Sequence, residues 1–216
     1  MKVLYLKYGL TALMMAFAMT LCFSCSSDDD EETPGEKKES KEEQKDTFKG
    51  DGKINGHDYV VLAGYKWATE NVGAVYGVEA KAGPAAEDNV WGCYYYTQEN
   101  AKKAAESCGG TWKHPSEAQW QKLLDECDWR WKKGYSYGGK TMKGYIVSDK
   151  KNASKFIFLP AAGICIVGYN DVDDQGDIGY YWSSDDERCL DFDNGSRSMY
   201  GGRYPSNGFT VRPVSE

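Results

Sequence analysis

The residues that could build a hydrophobic core are confined to one part of the chain. All seven tryptophans fall between Trp67 and Trp182. Residues 26–51 hold eleven acidic residues and five lysines, and Phe48 is their one aromatic residue. Such a segment buries too little apolar surface to offset the entropy of ordering. We therefore predict one folded domain over residues 52–216, preceded by a flexible acidic linker.

The charge balance limits the partners of that domain. The chain has 216 residues and a formal net charge of −7. The acidic linker accounts for most of this charge, and the domain is close to neutral. Binding to a nucleic-acid backbone requires a concentration of basic residues that this composition lacks. We therefore predict no nucleic-acid partner.

The first residues have the pattern of an export signal. Lys2 and Lys7 are followed by an uncharged apolar stretch over residues 9–23. This stretch is shorter than the roughly 20 apolar residues of a membrane-spanning helix. A basic start followed by a short apolar run predicts a signal peptide over residues 1–24.

The end of the apolar stretch predicts a lipid anchor. The sequence Leu-Cys-Phe-Ser-Cys at 21–25 resembles a bacterial lipobox, although Cys22 stands where leucine is usual. We predict a lipoprotein that carries palmitate and related acyl chains on Cys25, with residues 25–51 as its linker. Several acyl chains give stable anchoring, since each buried CH₂ contributes about 0.8 kcal/mol. The alternative is an ordinary secretory signal with incidental cysteines.

The acidic run that follows Cys25 bears on localisation. Residues 28–32 read Asp-Asp-Asp-Glu-Glu. This run resembles the signal by which Bacteroidetes lipoproteins reach the outer leaflet. It predicts a surface-exposed protein of the cell outer membrane, whose membrane contact is the lipid anchor. The other interpretation is that these acids keep the linker solvated.

Two helices are predicted within the domain. Thr97 can cap a helix over residues 98–107. Ser116 and Gln119 have the spacing of a capping box before a second helix. Apolar residues then recur at the helical period and form one stripe. The stripe consists of Trp120, Leu123, Leu124 and Cys127.

Short runs of β-branched and aromatic residues predict strands in the rest of the domain. Two early helices combined with many short strands indicate an α+β fold. The runs lie at residues 56–62, 66–73, 90–96, 144–147, 155–159, 163–167, 180–182, 189–192 and 208–214.

Five ordered motifs lie between residues 57 and 214. They are KWATENVGA at 66–74, GTWKHPSEAQW at 110–120, FLPAAG at 158–163, GYYWSS at 179–184 and GFTVRPV at 208–214. Together they resemble the motifs of one family of Bacteroidetes surface proteins, the Fibrobacter succinogenes major paralogous domain family. The resemblance implies a C-type-lectin-like fold, related also to formylglycine-generating enzymes. In that fold two helices pack beside a twisted antiparallel sheet, and the first and last strands pair so that the termini lie close together.

The resemblance leaves the ligand open. Sugar-binding C-type lectins hold calcium with a Trp-Asn-Asp strand and a proline-centred loop. Here residues 182–184 read Trp-Ser-Ser and such a loop is missing from the sequence, so we predict binding without the calcium-dependent sugar motif. Exposed aromatic residues can instead contact a glycan or protein ligand. The predicted ligand-binding residues are Tyr180, Tyr181, Trp182, Asp185, Tyr200 and Tyr204.

An acidic loop offers a possible structural calcium site. Asp171, Asp173 and Asp177 place hard oxygen ligands along one loop, as calcium sites require. The loop matches the first half of an EF-hand, but Trp182 stands where the bidentate glutamate belongs. The alternative is a solvated acidic loop without metal. We predict no other cofactor.

The remaining cysteines do not indicate an enzyme. Five are left after the signal and the lipidated residue, and their spacing leaves the disulfide pairing open. Cys165 and Cys189 do not fit the cysteine pair that formylglycine-generating enzymes use, and His114 occupies a position that the family often fills with an apolar residue. We therefore predict no catalytic residues. The five cysteines are Cys93, Cys108, Cys127, Cys165 and Cys189.

The sequence thus predicts a surface lipoprotein that carries a ligand-binding or adhesion module. The alternative is a structural or accessory subunit of an envelope or fimbrial assembly. A remote alternative is an oxidase that resembles the formylglycine-generating enzymes.

Overall fold

The computed structural model describes residues 50–73, 91–92, 94–137, 140–166, 172–202 and 207–216. Residues Gln44–Glu216 form one compact unit. The predicted signal peptide, Cys25 and nearly all of the predicted linker lie outside the described residues. Cys93, Asp171 and Tyr204 also lie outside them.

Helix α1 spans Gln98–Ser107, as predicted. It begins where the Thr97 hydroxyl accepts a hydrogen bond from the Asn100 N–H at 3.2 Å, which satisfies one of the free N–H groups of the first turn. Ala101, Ala104 and Ala105 are buried, so α1 presents a flat face to the core.

Helix α2 spans Glu117–Glu126, and the predicted capping box is confirmed. The Gln119 N–H donates to the Ser116 hydroxyl at 3.2 Å, and the Ser116 N–H donates to the Gln119 side-chain carbonyl at 2.9 Å. Trp120 and Leu123 from the predicted stripe are buried, so the cap and the stripe together fix how this helix meets the core.

The described residues contain thirteen strands, which form four small antiparallel sheets rather than the single sheet that was predicted. The orders are β1-β2-β3-β13, β4-β5-β6, β9-β10-β11 and β12-β7-β8. The strands are β1 (Gly52–Ile54), β2 (His57–Leu62), β3 (Tyr65–Ala68), β4 (Cys127–Tyr137), β5 (Lys140–Asp149), β6 (Phe156–Pro160), β7 (Ile164–Ile166), β8 (Val172–Asp173), β9 (Gly179–Trp182), β10 (Arg188–Phe192), β11 (Arg197–Gly201), β12 (Asn207–Gly208) and β13 (Val214–Ser215).

The last strand joins the sheet that the first three strands form. In β13, Val214 lies opposite Trp67 of β3, and Ser215 lies opposite Lys66. The last strand therefore pairs with the third strand, whereas direct pairing of the first and last strands was predicted. Strand β1 is held at the opposite edge of the same sheet, by β2.

Two predicted strands are not continuous in the structure. Among the described residues of 90–96, Tyr95 alone makes a β-bridge, to Phe209. The predicted strand at 208–214 is interrupted because its backbone turns to several partners in succession. The Val72 N–H donates to the Val211 carbonyl at 2.9 Å, and the Ala68 N–H donates to the Pro213 carbonyl at 3.0 Å.

Aromatic rings fill the centre of the core. The Trp120 ring lies 4.7 Å from the Trp67 ring and 5.8 Å from the Tyr181 ring, measured between centroids. Tyr181 stacks in turn on Phe192 at 5.8 Å. Since these rings belong to α2 and to strands of two different sheets, their packing joins the elements.

One charged residue lies inside this core. The Arg212 side chain has no exposed surface. Its N–H groups donate to the Asn71 side-chain carbonyl at 2.8 Å, the Ala68 carbonyl at 2.9 Å and the Phe158 carbonyl at 2.8 Å. These bonds satisfy the guanidinium group, as a buried cation requires.

Candidate functional site

Three of the predicted ligand-binding aromatics lie in the core. The exposed fractions of Tyr180, Tyr181 and Trp182 are 8%, 0% and 4%. All four residues of β9 are buried, so both faces of this strand meet protein. The Tyr181 hydroxyl donates to the Pro160 carbonyl at 2.8 Å, and the Trp182 indole N–H donates to the Tyr95 carbonyl at 2.6 Å. These three predicted ligand-binding residues are therefore covered by protein and offer no exposed aromatic surface.

The other predicted ligand-binding residues are not gathered in one place. Asp185 is exposed, and its carboxylate accepts bonds from the Glu117 N–H and the Ser183 hydroxyl, so it caps the start of α2. Tyr200 lies on β11 and is 47% exposed. Tyr204 lies outside the described residues.

The predicted calcium ligands that the structure describes are exposed, but they do not form a cage. Asp177 forms an ion pair with Lys143 at 2.7 Å. Asp173 belongs to the short strand β8, and Asp171 lies outside the described residues. Within the part of the chain that is described, no group of three or more histidine, cysteine or acidic residues could hold a metal ion.

The four described cysteines are buried. Burial raises the pKa of the Cys108 thiol to about 11 and that of the Cys127 thiol to about 12. Cys165 lies 3.0 Å from the Tyr96 hydroxyl. Burial of that hydroxyl and its contact with the thiol raise the pKa of Tyr96 to about 12. Burial therefore favours the protonated thiols of Cys108 and Cys127, whereas a nucleophilic cysteine needs a stabilised thiolate.

His114 is buried just before α2. Burial lowers the pKa of its imidazole to about 4, and the nearby Trp182 backbone and Asp185 carboxylate act weakly in the opposite direction. The ring is therefore neutral at neutral pH, consistent with packing.

Two solvent-open grooves flank the turn between β10 and β11, and we call this region the hairpin surface. The first groove lies between α2 and β11 and has a volume of about 640 Å³. Its walls carry charged and hydroxyl side chains. All the residues that line this groove are Glu117, Gln121, Leu124, Asp125, Arg188, Gly195, Ser196, Arg197, Ser198 and Met199.

The second groove lies on the other side of the same turn and also has a volume of about 640 Å³. It combines one half-buried tryptophan with ionic and amide side chains. Its lining residues are Trp131, Lys133, Lys143, Asp177, Ile178, Asp193 and Asn194.

Local hydrogen bonds hold the turn between the grooves. The Asp193 carboxylate accepts bonds from the Gly195 N–H at 2.6 Å and the Ser196 N–H at 2.7 Å. These bonds lower the pKa of Asp193. On the first groove, Arg188 donates through two nitrogen atoms to the Glu117 carboxylate, which connects β10 to α2.

Aromatic rings support the hairpin surface from below. The Arg197 guanidinium lies 5.6 Å from the Trp129 ring centroid and 5.9 Å from that of Tyr145. The Trp131 ring meets the Tyr145 ring edge to face at 5.1 Å. Packing therefore fixes the position of Trp131 while part of it remains in contact with solvent.

The side chains of the hairpin surface are able to interact with a polar ligand. In the second groove, the Trp131 ring can pack against the apolar face of a ligand, and the carboxylate, amide and ammonium groups around it can hydrogen-bond the ligand's polar groups. The volume of each groove lies within the roughly 300–1,000 Å³ typical of small-molecule sites. Sequence reasoning did not find these residues, with the exception of Asp177.

Comparisons with known proteins give no relative for this chain. No family model matches it, and no curated protein and no solved structure is significantly similar. Among the described residues, no helix is both long enough and apolar enough to cross a membrane.

Proposed function

We propose that the chain is a surface-displayed lipoprotein whose domain binds a glycan or protein ligand, as an adhesion module does. The ligand occupies the hairpin surface, without a calcium ion that chelates sugar hydroxyls. The observation that carries the proposal is the pair of open grooves, because they place polar side chains and one tryptophan around a well-braced turn.

The side chains of the two grooves suit a ligand rich in hydroxyl or amide groups. Asn194 is exposed at the turn and offers both a donor and an acceptor. Gln121 and Ser198 are exposed on the walls of the first groove. Trp131 supplies an aromatic contact in the second groove. Rigid aromatic residues surrounded by polar groups often dominate binding at such surfaces.

The proposal includes a C-type-lectin-like fold and a lipid anchor. Two helices beside antiparallel sheets, with the last strand added to the N-terminal sheet, support that fold. The lipobox-like residues before Cys25 support the anchor. A flexible linker over residues 26–51 would span on the order of 25–30 Å and hold the domain away from the membrane.

A ligand screen with matched variants tests the proposal. The soluble 44–216 unit is applied to a glycan array and to a panel of extracellular matrix proteins. We expect Asn194→Ala and Gln121→Ala to weaken each positive signal by at least about fivefold, since each removes a contact worth roughly 1 kcal/mol. Lys102→Ala on α1, away from the hairpin surface, is the control.

The outcomes separate the competing functions. Positive signals that neither variant reduces would place the ligand elsewhere and refute the proposed site. A silent screen, combined with specific capture of one envelope protein, would favour a structural or accessory subunit. An oxidase would require an activity that Cys165→Ser or Cys189→Ser abolishes, and both thiols are fully buried.

A labelling experiment tests the anchor separately. Cells that express the full chain are grown with radiolabelled palmitate. We expect label in the wild-type protein and none in Cys25→Ala. Equal labelling of the two proteins would overturn the assignment of Cys25.

A further inference from the structure

Strand β11 forms an open edge of its sheet. The sheet has the order β11-β10-β9, so β11 has one neighbouring strand. At the opposite edge, the Trp182 N–H donates to the Thr210 carbonyl at 3.0 Å, and the Thr210 N–H donates to the Tyr180 carbonyl at 3.2 Å. The β9 edge is therefore covered, whereas among the described residues no segment lies along the outer side of β11 in this way.

The hydrogen bonds of the β10–β11 hairpin show which backbone groups face the open edge. The Asp193 N–H donates to the Ser196 carbonyl at 3.0 Å, so these residues form a hydrogen-bonded pair. Hydrogen-bonded and non-hydrogen-bonded pairs alternate along an antiparallel ladder, which places Arg197, Met199 and Gly201 in non-hydrogen-bonded pairs. The N–H and C=O groups of these three residues point away from β10. Within the described part of the chain, none of these groups has a hydrogen-bond partner.

The first groove of the hairpin surface borders this edge. Arg197 and Met199 line one wall, and Gln121 and Leu124 of α2 line the other. Met199 and Leu124 are half-buried, so they give the groove an apolar patch. An added strand occupies roughly 160 Å³ per residue, from a rise of ~3.4 Å, a strand spacing of ~4.8 Å and a thickness of ~10 Å. A groove of about 640 Å³ therefore has room for about four residues of one extended chain.

Strand β4, at the edge of another sheet, shows how an edge is protected against pairing. Its register with β5 shifts between Lys132 and Tyr135, and it carries Arg130, Lys132 and Lys133. Bulges and charged side chains, lysine above all, prevent a further strand from pairing with an edge. Strand β11 pairs with β10 over all five of its residues without a register shift, and it contains neither lysine nor proline. Its edge is therefore open to a further strand.

We propose that the first groove binds an extended segment of a partner protein, which adds to β11 as a further strand of the sheet. The backbone of that segment bonds to the N–H and C=O groups of Arg197, Met199 and Gly201. Directly opposite residues share a face of the sheet, so the residue opposite Met199 places an apolar side chain on the patch that Leu124 completes. The inference rests on the proposed function, because it names the ligand class of one groove of the hairpin surface.

The spacing of the free backbone groups is what favours a polypeptide over a glycan. A sugar hydroxyl can bond to a single group of the edge. An extended polypeptide presents its own donors and acceptors at every second residue, so it matches the whole row. Backbone bonds supply affinity in this mode of recognition, and the side chains at alternate positions supply specificity.

Amide hydrogen exchange, followed by NMR on the 44–216 unit, tests the edge without a ligand. We expect the N–H groups of Arg197, Met199 and Gly201 to have protection factors at least about tenfold lower than those of Ser198 and Tyr200, which face β10. Equal protection of all five groups would overturn the proposal, because the edge would then already be paired.

Peptides selected on the same unit from a random phage-displayed library serve as the probe. An enriched peptide should carry an apolar residue and should slow exchange at Arg197, Met199 and Gly201. N-methylation of its successive residues should weaken binding at least about tenfold at alternate positions and leave the others nearly unchanged, since alternate N–H groups face β11. A response without this two-residue period would overturn the proposal, as would a library that yields no such peptide.

Protein variants provide a second measurement. Met199→Pro removes an N–H that faces the open edge and leaves the bonds between β10 and β11 in place, so peptide binding should weaken at least about fivefold. Lys102→Ala on α1 should leave binding unchanged, and circular dichroism checks that both variants are folded. If Met199→Pro does not fold, the N-methylated peptides still decide the question.

The outcomes separate this inference from the proposed function. A glycan whose binding depends on Asn194 and Gln121, and that leaves the Met199 N–H unprotected in the absence of any binding peptide, would keep the site and refute the added strand. A peptide that protects Met199 in a protein with a silent glycan and matrix screen would support the strand alone. A dimer that Met199→Pro dissociates would assign the edge to a second copy of this chain and overturn the proposal.

Discussion

At the scale of single residues, the buried polar side chains are the most informative. His114 and Arg212 both lie in the interior, but their environments differ. Three oxygen atoms accept bonds from the Arg212 side chain, so its charge is retained inside the core. The imidazole of His114 is instead kept neutral by burial, which lowers its pKa to about 4. The fold therefore buries one of these side chains with its charge and the other without a charge.

His114 should make stability depend on pH. Above about pH 6.5 the imidazole is neutral in both the folded and unfolded chain, so it makes no difference to the free energy of unfolding. Between pH 6.5 and 4 the unfolded chain binds the proton first, and this free energy falls by roughly 3 kcal/mol in total. Urea denaturation at pH 7 and pH 4.5 should show that His114→Met removes this loss.

A matched histidine controls for general acid effects. His57 is half-buried on β2, and burial lowers its pKa as well. His57→Gln should therefore retain most of the wild-type difference between the two pH values. The prediction for His114 fails if His114→Met and the wild type lose equal stability on acidification.

At the scale of elements, two glycines illustrate how turns next to β8 constrain the sequence. Gly163 and Gly176 both have positive φ, at +74° and +87°. A Cβ at position 163 would lie 2.3 Å from the Asp173 carbonyl oxygen and 2.7 Å from the Gln175 nitrogen. A Cβ at position 176 would meet no atom within 4 Å. The two sites thus share backbone strain but differ in available space.

Alanine substitution at the two glycines should separate these effects. Gly176→Ala should lower the free energy of unfolding by about 1–2 kcal/mol, the cost of the left-handed backbone alone. Gly163→Ala should cost an additional 1–3 kcal/mol or so, because the surrounding backbone must move. Thermal and urea denaturation of both variants measures the difference. Equal losses would show that the backbone at Gly163 has room for a side chain.

The elements that the sequence predicts well are those with local physical causes. Both helices begin where the caps Thr97 and Ser116 were predicted, because a cap bonds to the backbone three residues away. The strand predicted at 90–96 failed, since its backbone is positioned by distant segments. Tyr95 exchanges backbone hydrogen bonds with Phe209, and Asn71 donates to the carbonyl of Trp91. Such long-range partners leave no periodic pattern in the sequence.

At the scale of the whole molecule, Arg212 connects separate parts of the fold. It bonds to Ala68 at the end of β3 and to Phe158 in β6, which belong to different sheets. Arg212→Leu should lower the free energy of unfolding by at least about 3 kcal/mol, because three buried acceptors lose their donor. Lys151→Gln, at an exposed position, should change it by less than about 0.5 kcal/mol. The connection has no energetic role if both variants unfold at the wild-type urea concentration.

The candidate site was largely hidden in the sequence for a similar reason. The hairpin surface combines α2, β4, β10 and β11 residues that lie tens of positions apart. Aromatic content was a misleading guide, since Tyr180, Tyr181 and Trp182 belong to a strand that is covered on both faces. Composition could identify a domain rich in rings, but tertiary packing determined which rings reach solvent.

The pairing of β13 with β3 has a consequence for the order of events during synthesis. Strand β3 gains its second neighbour when Val214 becomes available, some 150 residues after Trp67 has been made. A nascent chain that has emerged as far as β11 therefore still exposes the edge of its first sheet. Contacts between such distant positions also form slowly. In the proposed export, the translocation machinery would thus receive the chain before its first sheet has closed.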